Sequence, residues 1–203
     1  MKKVFQYPPW SVEYTTEDGA RLDRLTFENY DLLTTAPTSF RPPSTDYGEY
    51  ENRPVYGYDD CFPSVESCQY PGRDWQIPDH GEVCWLSWKV SLKTNGLVFI
   101  VKSQVLPVQF TRKMLFSSTG INWVFEVFNE GDKAIAFQHV IHPLMPLNEV
   151  VDVQLPAFES VYNATTDTLQ ELKNSDEVRR FLLKQPSGVT NMLFIQRVKS
   201  GKL

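Results

Sequence analysis

Residues 97–127 read LVFIVKSQVLPVQFTRKMLFSSTGINWVFEV, and this stretch decides the fold class. Large apolar side chains recur at every second position in three consecutive runs, a pattern typical of β-strands that bury one face. The turn signals Asn95-Gly96 and Thr119-Gly120 precede the first and third runs. Consecutive strands joined by short turns predict an antiparallel meander. The recurring positions are Leu97, Phe99 and Val101, then Val108, Phe110, Met114 and Phe116, then Ile121, Trp123, Phe125 and Val127.

The same period of two continues on both sides of this stretch. It predicts further strands over 83–92, 134–142, 12–15 and 22–33, with the last two joined at Asp18-Gly19. One helix is predicted near the C-terminus, capped by Asn174 or Ser175 and ended by Pro186. The sequence therefore predicts a mostly β protein in which sheet packs on sheet. Its length of 203 residues is that of a single domain, 1–203.

Composition excludes several classes of partner. Hydrophobic residues make up 41% and charged residues 22%, and the formal net charge is −5, with no run of lysine or arginine. This balance argues against nucleic acid and against an anionic membrane as partners. No apolar run could span a bilayer and no signal-peptide core is visible, so a cytoplasmic protein is expected. The oligomeric state is not indicated.

Three cysteines, at 61, 68 and 84, are expected to be free thiols because they are few, odd in number and without a secretory signal. The gap between Cys61 and Cys68 fits no standard zinc spacing. No metal site is therefore predicted.

The segment 42–82 interrupts the regular pattern as a long, stiff, acidic loop. It holds six prolines, and nine acids against only two bases, Arg53 and Arg73. Carboxylates accept hydrogen bonds from hydroxyl groups, and aromatic faces cover the apolar side of a sugar ring. The loop thus favours a neutral sugar as ligand, although it could equally be a lid over a sheet edge. Its aromatic residues are Tyr47, Tyr50, Tyr56, Tyr58, Phe62, Tyr70 and Trp75.

Two histidines are candidate reactive groups. His80 lies in IPDHGE, residues 77–82, where Asp79 or Glu82 could orient its ring, although an ordinary turn would also explain the stretch. His142 closes the predicted strand 134–142, on the face with small and polar neighbours. His139, on the opposite face among apolar residues, is expected to be structural.

Three motifs in order resemble the galactose mutarotase-like superfamily, the relatives of aldose 1-epimerase. They are YGYDDCFPSVE at 56–66, PDHGE at 78–82 and FNEGDKAIAFQHVIHPLMPL at 128–147. The resemblance implies an antiparallel β-supersandwich with a sugar site on its concave face. It also implies interconversion of sugar anomers by acid–base catalysis, with no metal or organic cofactor.

The resemblance assigns roles to particular residues. His142 would be the catalytic acid that protonates the ring oxygen, and His80 would hold the ring oxygen or a neighbouring hydroxyl. Asp79, Asp60 and Arg73 are predicted sugar contacts, and Trp75 is the predicted stacking face.

One part of the family pattern has no counterpart in this sequence. The family base is a glutamate near the C-terminus, and neither Glu149 nor Glu159 can be matched to it. The fold is therefore expected to lack its C-terminal part. Two alternatives follow: a non-catalytic carbohydrate-binding module on the same fold, or a purely structural β-sandwich.

Overall fold

The computed structural model describes residues 2–34, 50, 55–146, 149, 151–185 and 193–197. The chain divides into two compact units, Met1–Met145 and Pro146–Leu203. The single domain over 1–203 stays a prediction. The strands of the first unit are β1 (Lys3–Tyr7), β2 (Trp10–Thr15), β3 (Arg21–Phe27), β4 (Tyr30–Asp31), β5 (Tyr58–Cys61), β6 (Cys68–Gln69), β7 (Gln76–Ile77), β8 (Lys89–Lys93), β9 (Gly96–Lys102), β10 (Val108–Phe116), β11 (Ile121–Asn129) and β12 (Val140–Pro143).

The meander predicted from the opening stretch is confirmed as one antiparallel sheet in the order β11-β10-β9-β8. In β10 the apolar positions of one parity are buried, and Arg112 is buried in line with them. Phe110 lies opposite Val127 in β11 and Val101 in β9. The period of two thus fixes both the faces and the register of these strands.

A second antiparallel sheet has the order β1-β2-β3-β5-β12, with β4 also paired to β3. The strand pair expected around Asp18-Gly19 is confirmed as β2 and β3, with Tyr14 opposite Leu22. The stretch predicted as one strand over 22–33 is divided by a turn at Glu28 and Asn29, which both adopt positive φ.

The two sheets pack face to face through aromatic side chains. The ring centroids of Tyr14 and Phe99 lie 5.2 Å apart, and those of Tyr58 and Trp123 lie 4.7 Å apart. This arrangement confirms the predicted mostly β, antiparallel sandwich, because each sheet buries its apolar face against the other.

A fully buried ion pair joins the two sheets. Arg112 of β10 donates to a carboxylate oxygen of Asp60 in β5 at 2.6 Å, and both side chains are inaccessible to solvent. The guanidinium also donates to the carbonyl of Ala20 and lies 4.4 Å from the centre of the Phe99 ring. Hydrogen bonds and a ring face therefore replace the water that this cation lost on folding.

The prediction of a strand over 83–92 is wrong for the first half of this range. Residues Val83–Trp85 form a short 3₁₀ helix, and β8 begins only at Lys89. Glu82 donates its backbone N–H to the carbonyl of Phe62 at 2.7 Å, which draws this segment into the core. Four consecutive residues from Val83 are buried. The alternating side chains in the sequence therefore do not correspond to a buried face and an exposed face here.

The strand predicted over 134–142 is also shorter than expected, since β12 covers Val140–Pro143. Ahead of it, the N–H of Gln138 donates to the carbonyl of Pro63 at 2.8 Å. The N–H of Ala136 donates to the Tyr70 hydroxyl at 3.0 Å. These backbone groups bond to the segment before β8 instead of to a neighbouring strand.

The predicted loop 42–82 is partly regular. Its described part, Tyr50 and 55–82, contains β5, β6 and β7. Positions 42–49 and 51–54 lie outside the described residues.

The second unit contains β13 (Phe158–Asn163), β14 (Thr168–Gln170), α1 (Ser175–Leu183) and β15 (Leu193–Arg197), with the sheet order β14-β13-β15. The predicted helix and its cap are confirmed, because the Asn174 side chain accepts from the N–H of Glu177 at 2.9 Å. Within the described ranges, no helix has both the length and the apolar character that crossing a membrane requires.

Candidate functional site

The pairing of β5 with β12 places His142 directly opposite Asp59. The imidazole Nδ1 lies 2.9 Å from Asp59 Oδ1. Cys61 lies two residues from Asp59, so its side chain is on the same face of β5. Asp60 points to the other face, into the core. One strand pair thus separates a candidate reactive face from a structural one.

A tight turn presents His80 next to this face. His80 and Gly81 both adopt positive φ, at 62° and 76°. The N–H of Gly81 donates to the carbonyl of Pro78 at 2.9 Å. A Cβ on Gly81 would lie 2.2 Å from the carbonyl oxygen of Phe62, so only glycine fits this close approach. The structure confirms that Asp79 orients the His80 ring, since its Oδ1 lies 3.0 Å from Nδ1.

Glu82, the other acid considered as a partner of His80, has a different role. Its carboxylate is buried and accepts from the hydroxyl of Ser103 and, at 2.8 Å, from the N–H of Gln104. Glu82 therefore holds the turn between β9 and β10.

The structure brings His80 and His142 together, with ring centroids 5.1 Å apart. The Tyr50 ring stacks on His80 at 3.6 Å and 9° between planes. The Tyr50 hydroxyl donates to Asp59 Oδ2 at 2.5 Å. The side chains of His80 and His142 remain 18% and 27% exposed, so both imidazoles are accessible to a small ligand.

Asp59 carries the buried negative charge of the cluster that it forms with His142, Tyr50 and His80. Burial by itself would raise the pKa of Asp59, but the hydrogen bond from His142 and the charge of Arg21 outweigh burial and lower the pKa to about 2. Arg21 lies 3.3 Å from Asp59 Oδ2 and 3.0 Å from Asp18. Burial opposes the charge on Arg21, yet Asp59 keeps the pKa of the guanidinium above its usual value. The pair is therefore ionised across the neutral range.

This shift predicts how stability depends on pH. A carboxyl whose folded pKa is depressed contributes stability that is complete above its unfolded pKa and is lost as the pH falls towards the folded value. For Asp59 this window runs from about 4 to about 2, and the contribution is about 2 kcal/mol. In urea titrations, the difference in unfolding free energy between the protein and Asp59→Asn should shrink through this window. A difference that stays constant down to pH about 2 would contradict the assignment.

His80 is held in its neutral form. Burial lowers the pKa of His80, and the nearby charge of Asp79 only partly offsets the effect. Because a carboxylate accepts hydrogen bonds, Nδ1 carries the proton and Nε2 is left as an acceptor. At neutral pH, the imidazole of His80 can therefore accept a hydrogen bond from a hydroxyl.

The effect of Asp79 on His80 is directly measurable. We expect Asp79→Asn to lower the pKa of His80 further, since the offsetting charge is removed. Histidine resonances followed by NMR from about pH 4 to about pH 8 would show this change. Asp74→Asn, at an exposed acid of the same segment, is the matched control and should leave the titration of His80 unchanged. An unchanged or raised pKa in Asp79→Asn would show that Asp79 does not act on this ring.

Asp60, a predicted sugar contact, is fully buried away from the imidazole pair. Besides Arg112, its carboxylate accepts from the Tyr58 hydroxyl at 2.6 Å and contacts His139 Nε2 at 3.0 Å. These bonds engage both oxygens inside the core, and they favour a structural role for Asp60. The contact with Asp60 also agrees with the structural role expected for His139.

Arg73 and Trp75, the other predicted contacts, belong to a different surface. Arg73 donates to the carbonyl of Val105 at 3.0 Å and lines a cavity of about 450 Å³ together with Lys133. Trp75 packs against Tyr70, with ring centroids 5.6 Å apart. Neither this cavity nor a second one of about 620 Å³ beside Trp85 is lined by His80 or His142. The sugar contacts of Arg73 and Trp75 stay predictions.

Sequence reasoning missed several members of the cluster. Tyr50, Asp59, Cys61 and Arg21 come from three separate segments, and only strand pairing brings them together. The doubled acid in YDDC was the available signal, because neighbouring strand residues face opposite sides. One ligand atom each of Cys61, His80 and His142 lies within 4.8 Å of the others, a grouping that no spacing in the sequence indicated.

No protein-family model matches this chain, and neither does any curated protein. Among solved structures, it is similar to the Slr1438 protein from Synechocystis sp. PCC 6803, with a TM-score of 0.67 and 14% identity over 86% of this chain and 64% of that one. It is also similar to a candidate aldose 1-epimerase from Escherichia coli K12, with a TM-score of 0.53 and 12% identity over 80% of this chain and 55% of that one. The chain spans less than two thirds of either neighbour, and at these identities the likeness shows the fold alone.

Proposed function

We propose that this chain is a carbohydrate-active protein of the aldose 1-epimerase type, which interconverts the anomers of a neutral sugar. The observation that carries the proposal is the pair of partly exposed imidazoles, His80 and His142, with ring centroids 5.1 Å apart. Each ring has a carboxylate at Nδ1, so each keeps a defined orientation. The likeness in fold to a candidate aldose 1-epimerase agrees with this proposal.

His142 is the proposed acid. Asp59 holds its Nδ1, so Nε2 is the atom that can deliver a proton to the ring oxygen of the sugar. As that proton arrives, the bond between the anomeric carbon and the ring oxygen breaks, the anomeric hydroxyl gives its proton to solvent water, and the anomeric oxygen becomes that of a carbonyl. Rotation and reclosure by the reverse steps give the other anomer and return the proton to His142. The ionised Asp59 stabilises the charge on the imidazole while it holds the proton.

His80 is the proposed binding partner of a sugar hydroxyl. Of the two roles expected for it, its neutral state favours this one, because Nε2 accepts a hydrogen bond and a ring oxygen has no proton to give. Asp79, which is partly exposed, orients the ring and would accept a hydrogen bond from a second hydroxyl of the sugar.

A carbohydrate-binding module is the second candidate function. Ring opening also needs a base that takes the proton from the anomeric hydroxyl. Asp59 and Asp79 contact the two imidazoles in the described part of the chain. Asp59 is buried, and Asp79 is paired with His80, so neither is a free base. That arrangement favours binding without turnover.

The test separates catalysis from binding. Pure α-anomers of common aldoses are mixed with the protein and followed by polarimetry or NMR, and tryptophan fluorescence reports binding in parallel. Faster re-equilibration than in buffer supports the epimerase. Saturable binding without acceleration supports the binding module. No response from any sugar in either measurement would overturn both.

A further inference from the structure

We propose that Cys61, His80 and His142 form a binding site for a borderline-soft divalent metal ion, best suited to Zn²⁺. The three side chains come from β5, from the turn before β8 and from β12, and one ligand atom of each lies within 4.8 Å of the others. One thiolate with two imidazoles is a donor set typical of zinc.

The geometry needs only a small contraction. Tetrahedral zinc with these ligands places the donor atoms roughly 3.3–3.6 Å apart. Cys61 is fixed in β5 and almost fully buried, so the two partly exposed imidazoles would move towards it while each keeps its carboxylate at Nδ1. The exposed side of the cluster leaves a fourth position open to water.

The surroundings of the two imidazoles provide an independent indication. Histidines that bind metals almost always donate their second ring N–H to a carboxylate or carbonyl, which fixes the tautomer and strengthens the ligand. Both rings meet this condition, with Asp79 at 3.0 Å from His80 Nδ1 and Asp59 at 2.9 Å from His142 Nδ1. The Nε2 atoms have no hydrogen-bond partner among the described residues, and they are available to a cation.

Binding requires the thiol of Cys61 to lose its proton. An ordinary cysteine thiol keeps its proton at neutral pH, so the metal-free protein holds S–H. When the metal binds, the S–H bond breaks, a bond between sulfur and the metal forms, and one proton passes to solvent.

The metal site shares both imidazoles with the proposed sugar site, but it can be tested independently. A bound ion would occupy the Nε2 atoms of both imidazoles, so, if the proposed function holds, Zn²⁺ would inhibit it. Binding is measured without sugar, so the two proposals can fail separately.

The test is a titration of the purified, reduced protein with Zn²⁺ by calorimetry and with Co²⁺ by absorption spectroscopy. We expect one ion per chain, release of the thiol proton, and a near-ultraviolet band from charge transfer between thiolate and Co²⁺. Cys61→Ser should abolish the band. Cys68→Ser, which removes an exposed thiol, is the matched control and should leave binding unchanged.

Variants at the imidazoles complete the test, since they alter partly exposed positions even if Cys61→Ser fails to fold. We expect Asp79→Asn to weaken Zn²⁺ binding by about 10–100-fold, and His80→Gln or His142→Gln to weaken it further. The proposal is overturned if the protein binds no Zn²⁺, if Cys68→Ser removes the charge-transfer band, or if both histidine variants bind as tightly as the unaltered protein.

Discussion

Replacing Arg112 with methionine is expected to lower the free energy of unfolding by about 3–5 kcal/mol. The side chain is fully buried, and its partner Asp60 would be left as a carboxylate without a cation in the core. The hydrogen bond from Tyr58 and the contact with His139 would remain, but the permanent positive charge of the guanidinium would be lost. Urea titrations at neutral pH would measure the loss.

The neighbouring residue offers a matched control. Lys113 pairs with Glu126 at 2.6 Å, but this pair lies at the surface, with side chains 34% and 51% exposed. Lys113→Met should therefore lose less than about 1 kcal/mol. Adding Asp60→Asn to Arg112→Met should restore part of the stability, because the unpaired charge is then removed. Equal losses from Arg112→Met and Lys113→Met would contradict the role given to the buried pair.

Replacing His142 with glutamine is expected to slow the proposed anomer interconversion by about 100–10,000-fold, the range typical of a lost general acid. Glutamine can still donate a hydrogen bond to Asp59, but it cannot carry the proton to the ring oxygen. Sugar binding should weaken far less than the rate. Exchange of the two anomers, followed by NMR at saturating sugar, would separate these effects.

His139→Gln is the control for this variant. His139 contacts the buried Asp60, not the imidazole pair. Replacing it should therefore lower the free energy of unfolding but leave the rate per folded molecule unchanged. Equal rates for His142→Gln and the unaltered protein would remove His142 from the chemistry. An equal slowing by both variants would point to a general effect on the fold.

The sequence predicts the meander well because its strands are neighbours in the chain. Local turn chemistry at Asn95-Gly96 and Thr119-Gly120 joins them, and the alternation of side chains sets their faces. The helix at Ser175–Leu183 is predicted for the same reason, since its cap lies within its own segment.

Features that depend on distant pairing are not predictable in this way. The short helix Val83–Trp85 forms because the carbonyl of Phe62, twenty residues away in the chain, accepts from Glu82. Arg112 lies in a strand whose pattern reads as apolar, and only the opposite sheet supplies its partner Asp60. A period of two cannot show which distant strand will face a given side chain.

The candidate site, too, is only partly predictable from the sequence. The order of the motifs predicts that His80 and His142 belong to one site, and the structure confirms that they meet. In the sequence Asp59 is only half of a doubled acid, although its place opposite His142 makes it the central charge of the site. Asp60 is the predicted sugar contact instead, because nothing in YDDC tells which carboxylate faces the core until the register with β12 is known.

Histidine NMR can show whether His80 and His142 line one place where a sugar binds. An aldose is titrated into protein with labelled histidines, and the ring signals of all three are followed. We expect the signals of His80 and His142 to shift together along one saturation curve while those of His139 stay unchanged. A curve in which His80 and His142 respond separately, or in which neither moves at any sugar concentration, would contradict it.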